Sequence, residues 1–204
     1  MIFHTHTFQQ VSLEPEAFLF KGGLLFKIES DIKARCIWYR GACGKGMILR
    51  SLFHEGLMAT VLLRIAEAES RSPLTKPFAW ITYRMLKAFC HMTVGCGASF
   101  GPGIVLLHPF GVFSHKTVVA GNNLVLQNSI TLGGEDDNGP QIGNNVFVGV
   151  GARIIGPISI GDRCRIGANS VVTVSIKADH VAAGNPARQI PIQPVAANPQ
   201  SRDQ

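Results

Sequence analysis

From Val94 onward, counting in sixes lands on Val94, Phe100, Leu106, Val112, Val118, Leu124, Ile130, Asp136, Ile142, Val148, Ile154, Ile160, Ile166 and Val172. Thirteen of these fourteen residues are apolar, against 46% for the whole chain. The exception, Asp136, lies in the polar run EDDNGPQ, which reads as a loop pushed out of the repeat. Gly follows the apolar residue at positions 95, 101, 143, 149, 161 and 167. A helix does not produce this pattern, because a period of six does not return to one face at 3.6 residues per turn. A simple amphipathic strand alternates every two residues. A six-residue period with glycine suits a short strand followed by a corner. Three such sides make a triangular coil, and each inward apolar residue stacks on its counterpart one coil away. Glycine relieves backbone strain at the corners. The competing reading, a Gly/Val-rich all-β domain that mimics the period, has to reproduce thirteen hits in register. The pattern therefore predicts a mainly β fold, a parallel β-helix of hexapeptide repeats.

The first half follows a different rule. Residues 47–69 carry apolar positions at helical spacing and close on charges, predicting a helix. Residues 78–92 predict a second helix with Arg84 and Lys87 on its polar face, and residues 27–40 a third. Between them, Ser70 to Pro77 contains Ser-Pro and Lys-Pro and reads as a turn. The chain thus divides into an α-helical cap or oligomerisation region (1–92), a β-helix carrying the chemistry (93–190) and a flexible tail (191–204). Terminal repeats of a solenoid need capping, and the helices supply it.

Charged residues are only 16% of the 204, which suggests surface buried in an oligomer. The net charge of +6 is concentrated in the first half: residues 1–92 hold 12 Lys/Arg and 7 Asp/Glu, residues 93–204 hold 7 and 6. No dense basic cluster with stacking aromatics is present, which argues against nucleic acid as a partner. The five cysteines (36, 43, 90, 96 and 164) are odd in number and form no C-x-x-C pair, as expected of reduced thiols in a cytoplasmic protein. The first ten residues lack the basic and apolar regions of a signal peptide. The most apolar stretch, Gly56 to Ala66, is interrupted by Arg64 and is too short to span a bilayer, so no transmembrane segment is expected.

His108 stands out chemically, in Leu106-Leu107-His108-Pro109-Phe110-Gly111. An imidazole takes a proton from a hydroxyl near neutral pH, which makes His108 a candidate general base. A surface or interface histidine without a chemical role is the alternative. His115 is a weaker candidate. No serine sits in a G-x-S-x-G elbow and no cysteine has a nucleophile motif, so direct attack by an acceptor hydroxyl fits better than a covalent enzyme intermediate. Near the end of the repeats, Arg153, Arg163, Arg165, Lys177 and Arg188 surround the turn formers Gly184, Asn185 and Pro186. Such a cluster suits a polyanionic ligand, or is simply solvated charge. A zinc lyase needs three convergent histidines, and the repeat region offers only His108, His115 and His180. No metal is expected.

Residues 93–190 closely resemble the left-handed parallel β-helix acyltransferases, most nearly the serine acetyltransferases and their relatives in polysaccharide and capsule gene clusters. The resemblance rests on His108 with Gly111, on SITLGG (129–134), on the run 142–172 and on AAGNPAR (182–188). More loosely, it includes Glu29-Ser30-Asp31-Ile32. It implies a left-handed coil and an acetyl-CoA-dependent O-acetyltransferase acting on serine or a sugar. It also implies a homotrimer or dimer of trimers with active sites between solenoids. His108 takes the place of the family's general base. Backbone groups near Gly134, Val150 and Ala168 would contact the acetyl–pantetheine arm, and Arg165 and Arg188 the CoA phosphates. A non-catalytic scaffold is the alternative of a different class, and a zinc-dependent carbonic anhydrase-like lyase a more remote one. Three positions depart from serine acetyltransferases proper. Leu107 and Thr93 stand where those proteins have acidic residues, and Gly139 where their R-H-P loop has histidine. The acyl-CoA half of the reaction is therefore expected to be retained, and the acceptor site to be altered.

Overall fold

The computed structural model describes residues 23–40 and 56–192. Three helices come first: α1 (Gly23–Arg40), α2 (Leu57–Ser70) and α3 (Lys76–Cys90). The predicted helix over 27–40 begins four residues earlier, at Gly23. Of the predicted 47–69 helix, residues 47–55 lie outside the described residues, as do His4, His6 and residues 193–204 of the tail. The third helix starts at Lys76 because Pro77 sits in its first turn, where a missing N–H breaks no intrahelical bond. His91, in left-handed conformation (φ 50°), ends it.

The chain then winds into stacked parallel strands on three faces. Face A carries β1 (Thr93–Val94), β4 (Phe113–Ser114), β7 (Thr131–Gly133), β10 (Arg153–Ile155) and β13 (Val171–Val172). Face B carries β2 (Ser99–Phe100), β5 (Val119–Ala120), β8 (Gln141–Ile142) and β11 (Ser159–Ile160). Face C carries β3 (Val105–Leu106), β6 (Val125–Leu126), β9 (Phe147–Val148), β12 (Arg165–Ile166) and β14 (His180–Gly184), and the antiparallel β15 (Ala187–Pro191) closes it.

All thirteen apolar residues of the six-residue count are buried in one continuous core. The count nevertheless crosses two insertions. Val105 and Phe113 begin successive strands eight residues apart rather than six, which adds two residues at the His108 corner. Thr131 and Gln141 are ten apart, which adds four at Glu135–Asn138. Between the insertions the count lands on Val112, Val118, Leu124 and Ile130, each two residues before the strand-paired Ser114, Ala120, Leu126 and Leu132. Both positions point inward, so burial survives the slip. The two insertions together equal one whole repeat, which is why the phase returns at Ile142 and why Asp136 is the single polar step.

Helix α1 lies across the outside of face C. Ala34 packs with Val105, Leu107 and Val125, and the Trp38 ring stacks on Phe147 at 5.8 Å between centroids. In β3 and β6 both residues are consequently buried, whereas most other strands alternate. The helices are fastened to the first coil by a buried polar cluster. Arg64 donates to both carboxylate oxygens of Asp31 (2.7 and 3.0 Å), to Glu67 (2.7 Å) and to the carbonyls of Phe100 and Gly101. Asp31 accepts from the N–H groups of Gly103 and Ile104, and Glu67 from that of Phe100. Burial opposes the Arg64 charge, but pairing with Asp31 and Glu67 outweighs it and holds the guanidinium above its ordinary range. Among the described residues no helix is long and apolar enough to cross a membrane.

Candidate active site

The edge where face C turns into face A stacks four corners: residues 107–112, 127–130, 149–152 and 167–170. Backbone hydrogen bonds tie each corner to the next. Ser129 N–H donates to the Phe110 carbonyl (2.8 Å), Gly151 N–H to Asn128 (3.0 Å) and Asn169 N–H to Val150 (2.8 Å). His108 occupies the first corner, which carries two extra residues. Its backbone is left-handed (φ 53°), unusual for a residue with a side chain. Its neighbours Leu107 and Pro109 are buried and His108 is exposed, so the imidazole stands out from the edge. The Phe110 N–H donates to the His108 carbonyl at 2.7 Å and closes the turn.

Strands within a sheet lie about 4.8 Å apart, so three steps up this edge from His108 reach Ala168 about 14 Å away. Val150 lies one step below Ala168 on the same edge. Its N–H is already given to the Gln127 side chain (2.8 Å) and its carbonyl accepts from Asn169. The Gly149 backbone passes so close to the next coil that a Cβ there would lie 2.8 Å from the Ala168 nitrogen. Gly149→Ala is therefore expected to destabilise by about 1–3 kcal/mol, as overpacking does, and to displace the Ala168 corner. Denaturant unfolding checks the first effect, and acetyl-CoA affinity the second.

Above these corners, β14 and β15 form the final hairpin, in which Arg188 is in register with Ala183. The Gly184 N–H donates to Ser170 Oγ at 3.2 Å, which seats the hairpin on the last corner. Arg165 projects from the outer side of β12 on face C and is exposed, as Arg188 is. Arg163 is paired bidentately with Asp179 (2.6 and 2.6 Å) at the opposite end of that strand.

Gly134 is not on this edge. It sits where face A turns into face B, and its missing side chain leaves room for the His115 ring. His115 Nδ1 lies 2.8 Å from Thr117 Oγ1. Within one chain the structure therefore gathers His108, Val150, Ala168 and, at the upper end, Arg165 and Arg188, and sets Gly134 and His115 on a separate edge. His180 begins β14 near the third edge, so the three histidines do not converge within a chain, and among the described residues no group of three ligands could hold a metal ion. Leu107 packs under α1, and Gly139 is buried against Thr117. Thr93 opens β1, in register with Phe113.

Residues 139–173 match the family model described as bacterial transferase hexapeptide (six repeats). A serine acetyltransferase of Synechococcus elongatus is 31% identical over 176 residues, covering 83% of this chain and 71% of that protein. One from Helicobacter pylori is 31% identical over 147 residues, 68% of this chain and 83% of the relative. The chain belongs to the serine acetyltransferase family. Solved members of that family share its architecture. The Neisseria gonorrhoeae serine acetyltransferase superposes with a TM-score of 0.73 at 29% identity, over 82% of this chain but 65% of that one. The soybean enzyme complexed with serine gives 0.75 at 30% identity (82% and 70%), and a serine acetyltransferase in complex with CoA gives 0.74 at 28% (82% and 69%). The parallel β-helix behind an α-helical region, expected from the repeat, is thus the fold of this family.

The sequence pattern did not foresee α1 covering face C. The signal was there in Val105-Leu106-Leu107 and Leu124-Val125-Leu126, runs apolar on both sides of the strand, as expected when both faces are buried.

Proposed function

We propose that the chain is an acetyl-CoA-dependent O-acetyltransferase in which His108 is the general base. The observation that carries this reading is the alignment, on one edge of a serine acetyltransferase-family solenoid, of an outward imidazole with the Ala168 corner and the arginine-bearing hairpin. Acetyl-CoA would lie along that edge. Its phosphates would sit toward Arg165 and Arg188, and its pantetheine arm past Ala168 and Val150. The thioester would lie beside His108. The Ala168 N–H, which has no partner among the described residues, is suited to an amide of the arm. At Val150 the amide is held by Gln127, so its contact with the arm is through the side chain.

His108 accepts the proton of the acceptor hydroxyl as that oxygen attacks the thioester carbonyl. Backbone N–H groups steady the oxyanion. Collapse breaks the C–S bond, and the imidazolium returns its proton to the departing CoA thiolate. The acceptor is serine or a sugar hydroxyl. The soybean relative's serine complex favours serine. Leu107 turned under α1, Thr93 in place of a carboxylate and the acidic Glu135, Asp136 and Asp137 favour a different alcohol. Coulomb repulsion from that loop opposes a substrate carboxylate.

The active unit is a homotrimer or dimer of trimers in the cytoplasm. It brings the His108 edge of one chain to the Gly134 and His115 edge of its neighbour. In favour of this stand the exposed Phe110, Phe113 and Ile155, apolar residues on or beside face A. The division into a cap (1–92), a catalytic solenoid (93–190) and a tail (191–204) belongs to the same reading. Light scattering is expected to give three or six times the chain mass, and a monomer at micromolar concentration would contradict the shared site.

The testing experiment follows thiol release from acetyl-CoA with serine, homoserine and nucleotide sugars side by side. Release is expected with at least one hydroxyl acceptor. No release with any of them, together with no acetyl-CoA binding by calorimetry, would favour the scaffold reading.

A further inference from the structure

Helix α3 lies against β1 and leaves a cleft of about 450 Å³, lined mainly by Lys76, Trp80, Tyr83, Arg84, Lys87 and Cys96. That volume falls within the range of small-molecule sites. Lys76, Trp80, Arg84 and Lys87 follow one another at spacings of four, four and three residues. They therefore form one row down a single side of the helix. At 1.5 Å per residue the row is about 16 Å long. The helix contains no acidic residue, and no carboxylate lines the cleft. Among the described residues no ion pair engages Lys76, Arg84 or Lys87, as is also true of Arg71, Arg153, Lys177 and Arg188. The Arg84 guanidinium lies 5.2 Å from the centre of the Trp80 ring, which restrains its position before any ligand arrives.

Three unmatched cations on a 16 Å row exceed what a single phosphate group can contact. We propose that this cleft is a binding site for an organic diphosphate of the nucleoside diphosphate class. Its two phosphates lie along Lys76, Arg84 and Lys87, and its base packs toward the Trp80 side of the cleft. The site is distinct from the one proposed for the CoA phosphates. It lies beside the first coil, and Arg188 belongs to the last strand, five steps up face C from β3. The diphosphate arrives either as the handle of the acceptor, a nucleotide-linked sugar, or as an effector. The two share the same chemistry at the cleft.

The test is calorimetric titration of the full chain with UDP and with UDP-glucose, alongside acetyl-CoA. UDP is expected to bind at one site per chain. The combined variant Lys76→Ala, Arg84→Ala, Lys87→Ala is expected to weaken UDP at least tenfold, on the strength of charge-assisted phosphate contacts, and to leave acetyl-CoA unchanged. Because the three side chains are exposed, the melting temperature serves as the control for folding. The conservative Lys76→Arg, Lys87→Arg variant should retain binding. A second readout is independent of activity. Of the described cysteines only Cys96 is exposed, and burial pushes the thiols of Cys90 and Cys164 up. Maleimide should therefore modify Cys96 and spare those two, and UDP should protect Cys96. Thiol release with UDP-glucose as sole acceptor identifies the acceptor handle; a changed rate with another acceptor identifies an effector. Either supports the site. Absence of UDP binding, or binding unaltered in the triple-alanine variant, would overturn it even if acetyl-CoA binds normally. Loss of acetyl-CoA binding alone counts against the proposed function and not against the cleft.

Discussion

His108→Ala is expected to lower acetyl-transfer turnover by at least about 10², the lower end of what general-base help contributes. Acetyl-CoA affinity should stay within about twofold, because the imidazole meets the acceptor hydroxyl and the contacts assigned to CoA lie higher on the edge. The corner is held by its backbone: the Phe110 N–H donates to the His108 carbonyl, and the Ser129 N–H to that of Phe110. Removing an exposed side chain leaves these bonds in place, so the variant should fold. His115→Ala tests the shared site instead, since His115, hydrogen-bonded to Thr117, lies on the edge proposed to meet the neighbour's His108. Near-normal turnover in His108→Ala would rule out the mechanism.

Arg64→Ala is expected to cost about 3–5 kcal/mol, the range for breaking a buried ion pair by removing one partner. The substitution leaves the carboxylates of Asp31 and Glu67 inside the protein, each less than 5% exposed, without the Arg64 guanidinium, and among the described residues only Glu67 keeps an ion pair, with Lys27 (3.3 Å). It also frees the carbonyl of Gly101 and leaves that of Phe100 to Lys27 alone, and so removes the hydrogen bonds from Arg64 that join α2 to the first coil. For a chain of this size the fall in melting temperature is on the order of 10 °C. Denaturant midpoints for Arg64→Ala and Arg64→Lys separate charge from geometry. Lysine keeps the charge but cannot reproduce the bidentate contact with Asp31, so it should recover only part of the loss. A loss below about 1 kcal/mol for the alanine variant would mean that the cluster does not fasten the helices to the solenoid.

The repeat was legible because each inward position of a three-sided coil repeats its environment every six residues. Val148, Ile154, Ile160 and Ile166 therefore announce the same structural slot. The insertions were only half legible. Asp136 marked the loop at 135–138, but the two extra residues at His108 were hidden because Val112 also points inward. The place of His108 at a corner was readable from the proline beside it and the glycine close behind, two residues after a core position. The separation of Gly134 from Val150 and Ala168 was not, because six-residue counting is blind to which of three edges a corner occupies. The cap was the least legible part. The Arg64 cluster and the cover of face C by α1 join residues far apart in sequence, and Arg64 read only as an interruption of an apolar run.

The most direct measurement of the central claim is amide hydrogen exchange of the chain with and without acetyl-CoA. Protection is expected on the His108 edge, at residues 149–151, 167–169 and 184–188, together with the Gly134 edge that the neighbour brings to it, and with the His108 corner included when a non-transferring acceptor analogue is added. Protection confined to the corners at 115–118 and 156–158, or none at any corner, would contradict a thioester held beside His108.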